Sequence, residues 1–259
     1  MDFFPTLLAD LRAETADLEA LLDGADWELP TPAEGWAIRD QVSHLAWFDE
    51  AAVRAVTDPG SLREGVSESF VDDLVAEARA LPAAEVHAWF RKARARMLGL
   101  FATLDPRQRV PWYGPPMSAA SFVTARLMET WAHGQDVADA LGVVRTPTAR
   151  LRHVATLGVR AMPYGFAVRG RPVPSDPVRV ELAMPDGTPW TAGAPEARDV
   201  VRGPMLDFCL LVTQRRHLDD LRLEVTGESA RAWMEIAQAF AGPPGKGRAP
   251  SGEIQGDSG

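Results

Sequence analysis

The sequence predicts a helical bundle followed by a small α+β domain. Three observations carry that expectation. Apolar residues recur every three or four positions through residues 1–145, the period of amphipathic helices. Those runs are long and separated by short breaks rich in Pro, Gly and Asp, as in an up-and-down four-helix bundle. Past Pro172 the period falls to two, in residues 178–182 and again in 221–225, which reads as strand. The chain has 259 residues, 46% apolar and 24% charged, the balance of a soluble globular protein with one large domain or two ordinary ones.

Each element follows from local spacing. Phe4, Leu7, Leu8, Leu11, Leu18, Leu21 and Leu22 predict a helix over residues 5–23, and the Pro30–Pro32 stretch breaks it. A second helix spans 38–56 and stops before Asp58-Pro59-Gly60. A short helix is expected over 68–80 and a long one over 83–104, ended by Asp105-Pro106. After a loop over 111–116, another long helix covers 118–141 and stops at Gly142; residues 147–162 form one more. In the second part, a strand over 178–182 turns at Asp186-Gly187 into a return strand over 190–192. A buried helix over 204–214, a strand over 221–225 and a closing helix over 229–240 complete it. From Gly242 onward, six Gly and three Pro in 18 residues predict disorder. The expected organisation is a bundle over 1–145, a small α+β domain over 146–241 and a disordered tail over 242–259.

Charge and cysteine usage exclude several functions. Lys and Arg total 27 against 36 acidic residues, so the net charge is −9, and an acidic surface disfavours nucleic acid as a partner. No run approaches 18 apolar residues, so no membrane span is expected. The start, Met1-Asp2-Phe3-Phe4-Pro5, lacks the basic region of a signal peptide. The single cysteine, Cys209, rules out an internal disulfide and fits a cytoplasmic setting. It also excludes a thiolate-only metal site, so any metal must use His, Asp or Glu.

One constellation has the residue types for such a site. Glu129 and His133 are four apart on a helix, so they share a face and both can reach one ion. His44 lies in the middle of the second helix, and a bundle can bring it beside that pair. Two imidazoles and one carboxylate form a zinc-type triad with an open position, which other divalent metals could also occupy. A plainer reading stands beside it: Arg126, Glu129, His133 and Asp136 form a polar stripe, as an exposed helix edge would. His87, His153 and His217 read as structural or surface residues. Asp49 is either a partner for a ligand histidine or a bundle-end residue facing water. Cys209, in an apolar run, is expected to be buried and inert.

Two segments carry a resemblance. Gly35-Trp36-Ala37-Ile38-Arg39-Asp40-Gln41-Val42-Ser43-His44-Leu45 resembles the signature of the DinB-like bundle superfamily, in which a Trp precedes a helix bearing the first metal-ligand His. Glu129 to His133, continuing through Gly142, resembles the last bundle helix of mycothiol-dependent maleylpyruvate isomerases. The resemblance implies a DinB-like four-helix bundle joined to a small C-terminal α+β domain. It implies His44, Glu129 and His133 as ligands of a divalent metal, zinc first, and mycothiol or a similar thiol as cofactor. It also implies an isomerase or S-transferase acting on a small electrophilic substrate. In that family an arginine of the second domain serves the active site, which points to Arg215 in Thr213-Gln214-Arg215, where the family pattern is closer to Thr-Gly-Arg; the other reading is that Arg215 and Arg216 simply cap a helix C-terminus, where cations are favoured. Arg215 and Arg126 are the expected cations for a substrate carboxylate. A metal-dependent hydrolase using bound water and a non-catalytic metal- or ligand-binding protein are the alternatives.

Overall fold

The computed structural model describes residues 3–62, 69–113 and 116–252. The chain divides into two compact units, Met1–Arg145 and Thr146–Gly259.

The first unit is helical. It contains α1 (Phe3–Leu22), α2 (Ile38–Thr57), α3 (Phe70–Ala78) and α4 (Ala83–Phe101), then two-residue strands β1 (Arg109–Val110) and β2 (Met117–Ser118), and α5 (Ala119–Ala140). Helix α2 packs on α4 and α5, α1 packs on α5, and α3 lies against α2. The apolar stripes read from the sequence meet here. Leu18 and Leu22 of α1, Ile38, Val42 and Leu45 of α2, Val86 and Phe90 of α4 and Val137 of α5 form one buried cluster. Each such side chain contributes about 1.5–3 kcal/mol by leaving water.

The start of α2 is held from two sides. Asp40 Oδ2 accepts the Ala37 backbone N–H at 2.9 Å, satisfying a free donor of the first turn. Arg79, just past α3, clamps the same carboxylate through Nε at 3.0 Å and a terminal nitrogen at 2.8 Å. Ser118 starts α5 by accepting the Ser121 N–H. The short helix expected over 68–80 is α3; residue 68 lies outside the described residues.

The second unit contains α6 (Leu151–Arg160), α7 (Met162–Ala167), β3 (Val178–Ala183), β4 (Pro189–Ala192), β5 (Asp199–Pro204), α8 (Met205–Val212), β6 (Glu224–Thr226) and α9 (Glu228–Met234). The sheet order is β4-β3-β5-β6, with β3 and β5 parallel and the other pairs antiparallel. Strand β5 was not expected from the sequence. Asp199-Val200-Val201-Arg202-Gly203-Pro204 offers two apolar residues between charges and a Gly-Pro pair, and so reads as loop. In the fold both valines are buried, because the strand is internal. Asp199 also starts α9, its Oδ2 accepting the Ser229 N–H at 2.6 Å. Gly227 makes that approach possible: its φ is 92°, and a Cβ would fall 2.2 Å from the Asp199 carboxyl.

The closing helix is shorter than expected, ending at Met234 instead of near residue 240. The described part of the tail, residues 242–252, has no helix or strand and makes hydrogen bonds to the second unit. Tyr164 Oη exchanges hydrogen bonds with the backbone of Gly242, Gln238 Oε1 accepts the Gly245 N–H, and Ser251 is tied to Asp220. Side chains of the second unit thus satisfy backbone groups that have no helix or strand partner. Residues 253–259 lie outside the described residues. Among the described residues no helix is long and apolar enough to cross a membrane.

Candidate metal centre

Helices α2 and α5 bring His44, Glu129 and His133 together. The His133 Nε2 lies 3.1 Å from Glu129 Oε2, and the His44 Nε2 lies 3.8 Å from the same oxygen. One ligand-capable atom of each residue lies within 4.8 Å of the other two. The imidazole centroids are 4.4 Å apart. Aromatic rings frame the cluster: Trp36 lies parallel to His133 within 14° at 6.1 Å, and Phe48 packs against His44 at 4.6 Å. Glu129 is the most open of the three, its side chain 23% exposed against 10% for His44 and 11% for His133.

The electrostatics suit a cation. Burial, aided by the nearby His133, pushes the His44 pKa down to about 4, so its ring is neutral at physiological pH. Burial opposes ionisation of Glu129, but hydrogen bonds from His133 and His44 outweigh it and hold the carboxyl well below its usual range. The His44 Nδ1 is buried with no hydrogen-bond partner. A neutral imidazole, a second imidazole and an ionised carboxylate converging within ligand reach are a donor set that fits a divalent ion of the zinc type.

The His44 shift has a consequence for stability without metal. A folded-state pKa of about 4 lies below the ordinary 6.5, so between those values the unfolded chain binds a proton that the folded chain does not. The contribution is intact above pH 6.5 and is lost as pH falls towards 4, by up to about 3 kcal/mol at about 1.4 kcal/mol per unit. Depression of Glu129 acts in the same direction at lower pH. Urea unfolding of metal-free protein should therefore show a clear drop in midpoint between pH 7 and pH 4.5; equal midpoints would contradict a neutral buried His44.

Beneath the cluster lies a buried ionic network. Asp49 is 0% exposed and accepts from Arg94 Nε at 2.6 Å and from Arg126 Nε at 3.1 Å. Arg94 also donates to Thr15 and Thr130, and Arg126 to the Leu45 carbonyl. Two guanidiniums and one carboxylate leave a net positive charge on this trio. Asp49 is thus neither a histidine partner nor a bundle-end residue. The polar stripe of α5 is no exposed edge: Arg126, His133 and Asp136 are buried, and Arg126 and His133 take partners from α2. Arg126 commits Nε and one terminal nitrogen to Asp49 and Leu45.

Gln41 was missed by sequence reasoning. It accepts a hydrogen bond from His133 Nδ1 and stands one turn before His44. A polar residue three positions before a ligand histidine shares its helix face, and that spacing was the available signal.

The remaining residues lie as follows. Arg215 belongs to the second unit and follows α8. The Arg215 N–H returns to the Leu210 carbonyl and the Gln214 N–H to Leu211, a Schellman ending. Gln214 takes φ of 60°, the left-handed conformation that glycine adopts readily, at the position where the family pattern has Gly. Arg215 also donates to the Thr213 carbonyl. Cys209 is buried, and burial pushes its thiol pKa well up, so it is no ready nucleophile. His87 pairs with Glu19, His153 is buried, and His217 accepts the Asp219 N–H.

Fold and site together define a two-unit protein whose helical bundle carries a two-histidine, one-carboxylate cluster. Residues 8–138, just over half of the chain, match the family described as mycothiol maleylpyruvate isomerase N-terminal domain, and the chain belongs to that family. An uncharacterized protein of Mycobacterium tuberculosis, from strains H37Rv and CDC 1551 / Oshkosh, is 48% identical over 250 residues, covering 93% of this chain and 97% of the relative. The crystal structure of the mycothiol-dependent maleylpyruvate isomerase superposes with a TM-score of 0.57 at 19% identity. Its H52A mutant does so with 0.59 at 18%. Each likeness covers 82% of this chain and 89% of the other, and shows the shared fold.

Proposed function

We propose that this chain binds one divalent metal ion, zinc first, through His44, Glu129 and His133, and uses mycothiol or a similar small thiol to isomerise or transfer to a small electrophilic substrate. The observation that carries the reading is the convergence of three donor atoms within 4.8 Å, with His44 neutral and Glu129 ionised. A metal so held would supply Lewis acidity, lowering the pKa of a thiol or water in its open position. The chain's own residues do the rest. Glu129 brings a negative charge to the cation, and His44 offers a lone pair without first losing a proton. Trp36 and Phe48 shield the imidazoles from water. The net positive Asp49–Arg94–Arg126 trio favours an anionic ligand nearby. For an acidic substrate, Arg126 and Arg215 are the proposed cations. The lack of any Cys before Cys209, itself buried, fits a thiol brought from outside.

The test is optical. Cobalt-substituted full-length protein should gain a sulfur-to-metal charge-transfer band when mycothiol is added. An unchanged spectrum at millimolar thiol would overturn the thiol reading and favour a hydrolase using metal-bound water or a binding protein.

A further inference from the structure

Resting on the metal reading above, we infer that Gln41 is a positioning residue. It is the end of a hydrogen-bond relay that fixes which nitrogen of His133 is offered to the metal.

The relay has a direction set by its far end. The Trp36 backbone carbonyl can only accept, and it takes the Thr31 hydroxyl at 2.9 Å as well as the Thr31 N–H at 2.8 Å. With its proton committed there, Thr31 Oγ1 accepts from the Gln41 side-chain amide nitrogen at 2.8 Å. The amide is then oriented with its nitrogen towards Thr31 and its oxygen towards His133. An amide oxygen cannot donate, so the short contact to His133 requires a proton on Nδ1. The ring's other nitrogen, Nε2, faces Glu129 Oε2 at 3.1 Å and is the one left for a cation, which would take the place of a proton shared with that carboxylate. Free imidazole side chains favour the opposite arrangement, with the proton on Nε2. The relay reverses that preference and prepares the ring for a cation.

The same loop holds the ring in place. Residues 30 and 37 form an isolated backbone bridge, and Trp36 lies parallel to His133. Gln41 and His133 are both buried, so water does not compete for the contact. His44 has no equivalent device, since its Nδ1 is buried without a partner. His133 is therefore the oriented ligand of the pair, and Gln41 acts on the metal only through it.

The experiment reads the tautomer directly. Full-length, metal-free protein with 15N-labelled histidine, carrying Glu129→Ala so that no carboxylate competes at Nε2, is examined by long-range proton–nitrogen correlation at a pH where imidazole is neutral. With Gln41 in place, His133 should carry its proton on Nδ1. Gln41→Leu should move the proton to Nε2, and Gln41→Glu should keep it on Nδ1, because a carboxylate also accepts. Thr31→Val, which frees the amide to turn, should give a smaller shift in the direction of Gln41→Leu and serves if that variant does not fold. Zinc affinity measured by competition on the same Gln41 variants with Glu129 intact should fall about 10–100-fold in Gln41→Leu and stay near wild type in Gln41→Glu. A proton on Nε2 with Gln41 in place and Glu129 removed would overturn the relay. Normal zinc affinity in Gln41→Leu would overturn the positioning role alone. No zinc binding in the wild type, with the tautomers as stated, would instead fail the metal reading.

Discussion

Asp49→Asn is expected to destabilise the helical unit by about 3–5 kcal/mol, the cost of leaving a buried charge without its partner. Both carboxylate oxygens of Asp49 accept from arginine Nε groups, one from Arg94 and one from Arg126. An asparagine keeps one acceptor and replaces the other with a donor. Whichever way it turns, an N–H faces an N–H, and two buried guanidiniums remain with no counter-charge from this position. Burial already lowers the Arg94 pKa, with the Asp49 charge opposing that shift. Loss of Asp49 removes that support. Urea unfolding followed by far-UV circular dichroism checks the expectation; a change under about 1 kcal/mol would mean that the network is worth no more than a surface pair.

The second large effect falls on the metal. His44→Ala and His133→Ala should each weaken zinc binding on the order of a hundred- to a thousandfold. A four-ligand zinc site is worth about 10–16 kcal/mol, so one ligand accounts for roughly 2.5–4 kcal/mol of it. Without metal, His44→Ala removes the neutral buried imidazole and should flatten the fall in stability between pH 7 and pH 4.5. Competition titration gives the affinities, and equal zinc affinity in wild type and either variant would remove that histidine from the ligand set.

Much of this was legible before the structure. The helices of the bundle follow from three-to-four spacing because their apolar stripes are continuous. Glu129 and His133 share a face by arithmetic alone, and His44 stands out through the segment that begins at Trp36. What the sequence hid lies between elements distant in the chain. Asp49 and Arg126 are 77 positions apart, and Asp49 and Arg94 are 45 apart. Buried polar residues whose partners lie that far away look like a solvated face, which is why the α5 stripe misleads. Gln41 was hidden for a related reason, since its spacing from His44 marks a shared face but its partner, His133, lies 92 positions on. Strand β5 was hidden because its burial comes from its neighbours β3 and β6 and not from its own composition.

X-ray absorption at the zinc edge, on zinc-loaded full-length protein with and without mycothiol, tests the central claim most directly. The account predicts a nearest shell of two imidazole nitrogens with oxygen donors, and on adding mycothiol one sulfur at about 2.3 Å. A shell of oxygens without imidazole scattering, unchanged by the thiol, would contradict it.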